Sequence, residues 1–362
     1  MQYRIDEDHK LEATLPLFSP APYDMSNARI CACVNGLTLE KLSLSGAYDA
    51  VLPGGSYGIC GRNAPASPAT EKRVLCYGRM QEIQFSLCDA AYTARWFLDD
   101  AGAVLYLRLF AEGCRPFALV YTFGVQCSPE RLKLLCTAPL ELREREGDYL
   151  HYTAAAEATA RRGAFYAELT LAFDLGRSLT QESLVGAAAT AEQEAEAYFD
   201  MLVTAVAPKQ DVAYKAYALN AAFSSYKSFG GFSGFFAGVN YAAPARTYYR
   251  DGYYTALTLL PYRPDWVRSE LVTLARGVSE NGACGSAVDA LGNPWWTEHH
   301  DSPLFFALLL YAYLAQTGDR ELLNQGTIAR ALTAVLEATA AALDENGLLR
   351  RRYSRHDWAD NV

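Results

Sequence analysis

Leu184 to Val206 divides the chain, and its centre reads Ala188-Ala189-Thr190-Ala191-Glu192-Gln193-Glu194-Ala195-Glu196-Ala197. Alanine and glutamate form helices readily, and the run is only weakly apolar. It predicts a connecting helix on a surface, closed by Pro208. On its N-terminal side, β-branched, aromatic and alternating residues come in short runs over 92–98, 103–110, 117–125, 149–153 and 165–173. Gly, Pro, Asp and Ser separate them at the intervals of a sandwich of antiparallel strands.

On its C-terminal side the period changes. Helices are predicted over 211–229, 251–262, 265–281, 302–317 and 326–344, joined by loops rich in glycine and aromatics. Pro264 and Asp265 open the third, and Asp301-Ser302-Pro303 opens the fourth with proline just inside the start. Gly318 closes the fourth and Gly347 follows the fifth. The fourth is apolar nearly all round over 304–314, which predicts burial between neighbouring helices. The expected organisation is α+β and multidomain: a β-sandwich over 1–180, a linker helix over 181–208, and stacked αα-hairpins over 209–362.

Composition narrows the function. The chain has 362 residues, half of them apolar, with a net charge of −9. No basic run exceeds Arg350-Arg351-Arg352, so neither a nucleic acid nor an anionic membrane surface is an expected partner. No apolar run reaches the length of a membrane span, and the first ten residues contain no apolar stretch of the kind a secretory signal carries. A soluble, cytoplasmic protein is the expectation. Eight of the nine cysteines lie in the first 136 residues and no Cys-x-x-Cys occurs, so they read as reduced core residues. Gly-x-Ser-x-Gly, a Walker loop and a dinucleotide-binding fingerprint are all missing, and Gly230-Gly231-Phe232-Ser233-Gly234 reads as a loop.

Three clusters place aromatics beside carboxylates at predicted helix starts. Adjacent Arg250 and Asp251 stand among Tyr248, Tyr249, Tyr253 and Tyr254, offering donors, acceptors and flat faces to a sugar ring. Asp251 reads equally well as a helix cap. The second cluster is Trp295-Trp296-Thr297-Glu298-His299-His300-Asp301. Adjacent histidines seldom chelate one ion and no third lies at helical spacing, so no metal and no cofactor are expected. The third is His356-Asp357-Trp358-Ala359-Asp360, where one acid can protonate a glycosidic oxygen while the indole stacks on the ring.

Four runs in this order resemble the six-hairpin glycosidases. Ala237-Gly238 with Tyr249-Arg250-Asp251-Gly252-Tyr253-Tyr254 resembles their Ala-Gly and Gly-Arg-Asp-Thr segment. Asp301-Ser302-Pro303-Leu304-Phe305-Phe306, Thr317-Gly318-Asp319, and Gly347-Leu348-Leu349 with Trp358-Ala359-Asp360 are similar to three further segments. Within that class the runs look most like the amylo-α-1,6-glucosidase (glycogen-debranching) and processing α-glucosidase group. Tyr248-Tyr249 replaces the tryptophan that precedes the family's Gly-Arg-Asp.

The resemblance implies an N-terminal β-supersandwich, an (α/α)6 barrel and inverting hydrolysis of an α-glucoside or related neutral oligosaccharide. It puts Asp360 on the general acid. It puts Arg250, Asp251 and Asp301 on sugar-contacting positions, and Tyr253, Trp295, Trp296, His300, Asp357 and Trp358 of the three clusters complete the expected substrate-binding set. The family's general base is a glutamate well downstream of the acid, and the five predicted helices fall short of a full ring. A chain continuing past Val362, or another element completing the ring, is therefore expected. An inverting disaccharide phosphorylase and a non-catalytic carbohydrate-binding fragment stay open as alternatives, as does a homo-oligomer.

Overall fold

The computed structural model describes residues 3–45, 50–51, 71–87, 89–100, 102–127, 130–147, 149–207, 210–238, 245–296 and 299–349. Asp357, Trp358 and Asp360 lie outside the described residues. Two compact units part between Asn220 and Ala221.

The first unit is built from β1 (Arg4–Ile5), β2 (Leu11–Pro16), β3 (Pro22–Ser26), β4 (Ile30–Asn35), β5 (Thr38–Leu44), β6 (Ala50–Val51), β7 (Glu71–Tyr77) and β8 (Met80–Leu87). These are followed by β9 (Ala90–Leu98), β10 (Val104–Gly113), β11 (Ala118–Gln126), β12 (Lys133–Cys136), β13 (Leu140–Glu146), β14 (Tyr149–Glu157), β15 (Thr159–Arg161) and β16 (Ala164–Asp174). The large sheet runs β1-β2-β7-β8-β9-β10-β16-β12, with β15 paired to β16. Two smaller sheets, β3-β4-β5-β6 and β11-β14-β13, contribute to the same core. Alternation places Ala94, Trp96 and Leu98 with Leu105, Leu107 and Leu109 in it, against Ile30 and Val34 of β4 and Tyr121 and Phe123 of β11. Two buried ring polar groups of this core are satisfied by backbone carbonyls. Trp96 Nε1 donates to the Gly36 carbonyl at 2.8 Å, and the Tyr121 hydroxyl donates to the Leu37 carbonyl at 2.7 Å.

The outer face of the large sheet is also apolar in its middle, where Phe97 stacks on Tyr106 at 5.4 Å. Helix α1 (Leu184–Val206) contacts β9 and β16 there. Composition predicted a connecting helix on a surface, whereas Leu184, Ala188, Ala191, Ala195, Phe199, Leu202 and Val206 are buried in a stripe at helical spacing. Alanine side chains are short, so a weakly apolar face still packs closely. The helix is also tied by charge: Glu192 accepts from Arg95 and Arg108 at 2.6 Å each.

Helix α2 (Val212–Ser225) carries the chain across the division. It stops short of the predicted 229 because β17 (Tyr226–Phe229) pairs with β18 (Phe232–Phe235) across Gly230-Gly231. Both glycines take positive φ (52° and 83°), as a two-residue primed turn requires, so this expected loop is a hairpin tip. The rest of the second unit comprises β19 (Arg246–Tyr248), α3 (Tyr249–Leu259), α4 (Pro264–Arg276), β20 (Ala287–Asp289), β21 (Pro294–Trp295), α5 (Ser302–Thr317) and α6 (Gly326–Ala342). Helix α4 touches α3, α5 and α6.

Helix α5 is covered on one face only, by Phe306, Leu309, Leu310 and Tyr313, while Leu308 and Tyr311 are exposed. Its expected all-round burial is not met among the described residues, whose neighbouring helices reach a single side. No described helix is long and apolar enough to cross a membrane. Cys31, Cys76, Cys136 and Cys284 are buried, whereas Cys114 is exposed.

Candidate functional site

A three-stranded sheet brings two of the sequence clusters together. β19 pairs with β20 and β20 with β21, so Tyr248 lies opposite Ala287, and Ala287 opposite Trp295. The chain then turns directly from β19 into α3, one residue after Tyr248. Arg246 is buried among rings: its guanidinium carbon lies 5.1 Å from the Trp295 ring centre, 5.6 Å from Trp296 and 5.5 Å from Tyr248. Its Nε also donates to the Tyr248 hydroxyl at 2.7 Å. A cation held against indole faces orients those faces.

Trp296 is the outlier of this group. It is exposed and holds φ +63°, a left-handed conformation that bulky side chains rarely adopt. Trp295 is half-buried, and its buried Nε1 finds no acceptor among the described residues.

Arg250 in the first turn of α3 forms an ion pair with Asp301, the residue before α5. Both are about one quarter exposed, and Arg250 also lies 5.6 Å from the Phe305 ring. Asp301 occupies the cap position but makes no side-chain cap bond, because its carboxylate is turned to the arginine. Asp251 does not cap α3 either: the helix begins at Tyr249, and Asp251 lies exposed in its first turn. Tyr253 packs against Phe305 at 5.3 Å, and His300 is exposed. Among the described residues no group of three or more His, Cys, Asp or Glu is arranged around a metal.

Behind this surface stands Glu270 of α4, which is fully buried. The Thr247 Oγ1 lies 2.5 Å from Glu270 Oε1 and 3.0 Å from the Phe235 carbonyl oxygen. One hydroxyl hydrogen cannot serve both acceptors, so a protonated Glu270 supplies the second. Burial pushes this carboxyl up to about 8, opposed by the Thr247 and Phe235 hydrogen bonds. Two glycines make room for it. A Cβ on Gly252 would come 2.5 Å from Oε1, and one on Gly234 would come 2.7 Å from Oε2. The clues were present in the sequence: a glutamate among Val267, Leu271 and Leu274 on an apolar helix face, and a glycine inside a helix.

The fold is similar to that of a bacterial glucoamylase solved in complex with acarbose. The two share 10% sequence identity with a TM-score of 0.54, over 90% of this chain and 62% of the glucoamylase. This chain thus spans less than two thirds of that enzyme's length, and the likeness is one of fold. A family GH92 α-mannosidase from Bacteroides thetaiotaomicron aligns over 96% of this chain and 66% of its own, at 9% identity and a TM-score of 0.26. No family model and no curated protein matches the sequence.

Proposed function

We propose that the chain is part of a glycoside hydrolase of the six-hairpin class, acting on an α-glucoside or related neutral oligosaccharide. The observation that carries this reading is the meeting of Arg250 with Asp301, together with the Tyr248, Trp295 and Trp296 rings gathered around Arg246. Fixed, paired charges present hydrogen bonds to vicinal hydroxyls, and indole faces bind the apolar side of a pyranose. The glucoamylase fold likeness supports the same class. On this reading the first unit is the β-supersandwich, and the helices of the second belong to an (α/α)6 barrel. The quoted runs favour the debranching and processing α-glucosidase group within it.

In the proposed mechanism Arg250, Asp251, Tyr253, His300 and Asp301 hold the sugar, with Trp295, Trp296 and Trp358 against its faces. Asp360 protonates the departing oxygen, a role that requires a carboxyl still protonated near neutrality. Water attacks from the opposite side, activated by a carboxylate standing roughly 6.5–9.5 Å from the acid.

The test is turnover of neutral α-glucosides by the full protein and by Asp360→Asn. Loss of turnover by at least about 10²-fold with retained sugar binding is expected, together with a product of inverted anomeric configuration. Unchanged turnover would remove Asp360 from the mechanism. Strict dependence on phosphate would reassign the reaction to a phosphorylase.

A further inference from the structure

Three shallow, open depressions of about 460, 420 and 660 Å³ lie along the outer face of the large sheet of the first unit. They adjoin one another. The first two share Ser86 and Ala91, and the third continues from Gly163 and Ala164 of the second to Arg162 and Tyr166. Strand register explains the line. Thr14, Arg73, Gln84, Thr93, Phe110 and Glu168 are successive cross-strand partners from β2 to β16, so their side chains share one face in one row. Ser86, Ala91, Glu112, Tyr166 and Thr159 form the neighbouring row. All eleven are exposed or half-buried. Helix α1 covers the adjacent rung, where Glu192 meets Arg95 and Arg108, and so stands along one side of the trough.

We infer that this trough is a binding groove for a linear, neutral oligosaccharide, separate from the site of the second unit. Five strand-to-strand steps at about 4.8 Å give it a length of about 24 Å, enough for several sugar residues in line. Its floor at one end is aromatic: the Phe110 and Tyr166 ring centres lie 6.0 Å apart with the planes tilted by 34°. The Tyr166 hydroxyl donates to Glu112 at 3.0 Å, and Arg108 Nε donates to Glu168 at 2.5 Å, which fixes ring and carboxylates in place.

Arg162 adds a donor at the same end. It holds φ +48° in the Arg162-Gly163 turn between β15 and β16, a position that normally selects asparagine, aspartate or glycine.

The chemistry of the trough selects its occupant. Arg73, Arg161 and Arg162 alternate with Glu71, Glu112 and Glu168, so a polyanion would meet carboxylates along its whole path. A peptide adding as a strand needs an open sheet edge, whereas the middle of this groove crosses β7, β8, β9 and β10, each paired on both sides. A hydroxylated chain uses donors, acceptors and rings together.

The experiment is calorimetric titration of the full chain with maltoheptaose and, separately, cellohexaose. At least one is expected to bind, with Kd raised at least tenfold in Phe110→Ala and Tyr166→Ala and in a second type of variant, Glu112→Lys. Unchanged melting curves confirm that each variant folds. Trp296→Ala, which alters the site of the second unit, is expected to keep this binding event, so the two sites fail independently. The inference is overturned if neither glucan binds. It is overturned equally if binding survives all three trough substitutions, or if retention on heparin is the sole interaction.

Discussion

Glu270 gives the second unit a pH dependence whose sign follows from its proton. Folded, the carboxyl titrates near 8 because burial disfavours its charge; its ordinary value is 4.5. Between those values the folded chain holds a proton that the unfolded chain releases. The contribution is complete below about pH 4.5 and is lost as pH rises through about 8. Thermal melts of wild type should fall across that window, and Glu270→Gln, which keeps the neutral form, should flatten the fall. Equal slopes for both proteins would assign the dependence elsewhere. Gly252→Ala should lower stability by about 1–3 kcal/mol, because the added carbon meets Oε1 at 2.5 Å. At the candidate site, Arg250→Lys keeps the charge but loses the planar fork that faces Asp301. On the proposed function, kcat/KM for a neutral α-glucoside should fall on the order of 10²-fold through lost positioning.

At the scale of elements, legibility followed period and punctuation. The start and end of α5 match the expected 302–317, because Pro303 marks a start and Gly318 a stop. The end of α2 was overrun by four residues, since Tyr226–Phe229 continues an apolar pattern that helix and strand share. Only the two positive-φ glycines beyond it betray a hairpin. Gly231→Val should therefore destabilise the β17–β18 hairpin by about 1–2 kcal/mol, measured by chemical denaturation. Helix α1 was legible as a helix, but its burial was not: alanine carries too little apolar surface to advertise a docking face. Ala191→Leu, which pushes that face off the sheet, should cost about 1–3 kcal/mol in the same assay.

At the scale of the whole molecule, a β-rich half followed by a helical half could be read from the change of period near residue 180. Local chemistry also marked Arg250, Trp295, Trp296 and Asp301 as candidates, since rings and charges crowd helix starts there. It could not say that Arg250 and Asp301 meet, that Arg246 is the residue around which the rings gather, or that Glu270 is buried behind two glycines. Nor could it align Thr14, Gln84, Phe110 and Tyr166 into one trough. Propensity, capping and alternation are properties of neighbours along the chain, and the sequence by itself determined what they control: that strands give way to helices, and where α1 and α5 start and stop. Contacts between distant residues depend on strand register and helix packing, which side-chain volume and burial settle only when the whole unit closes. Tertiary structure alone decided the partners.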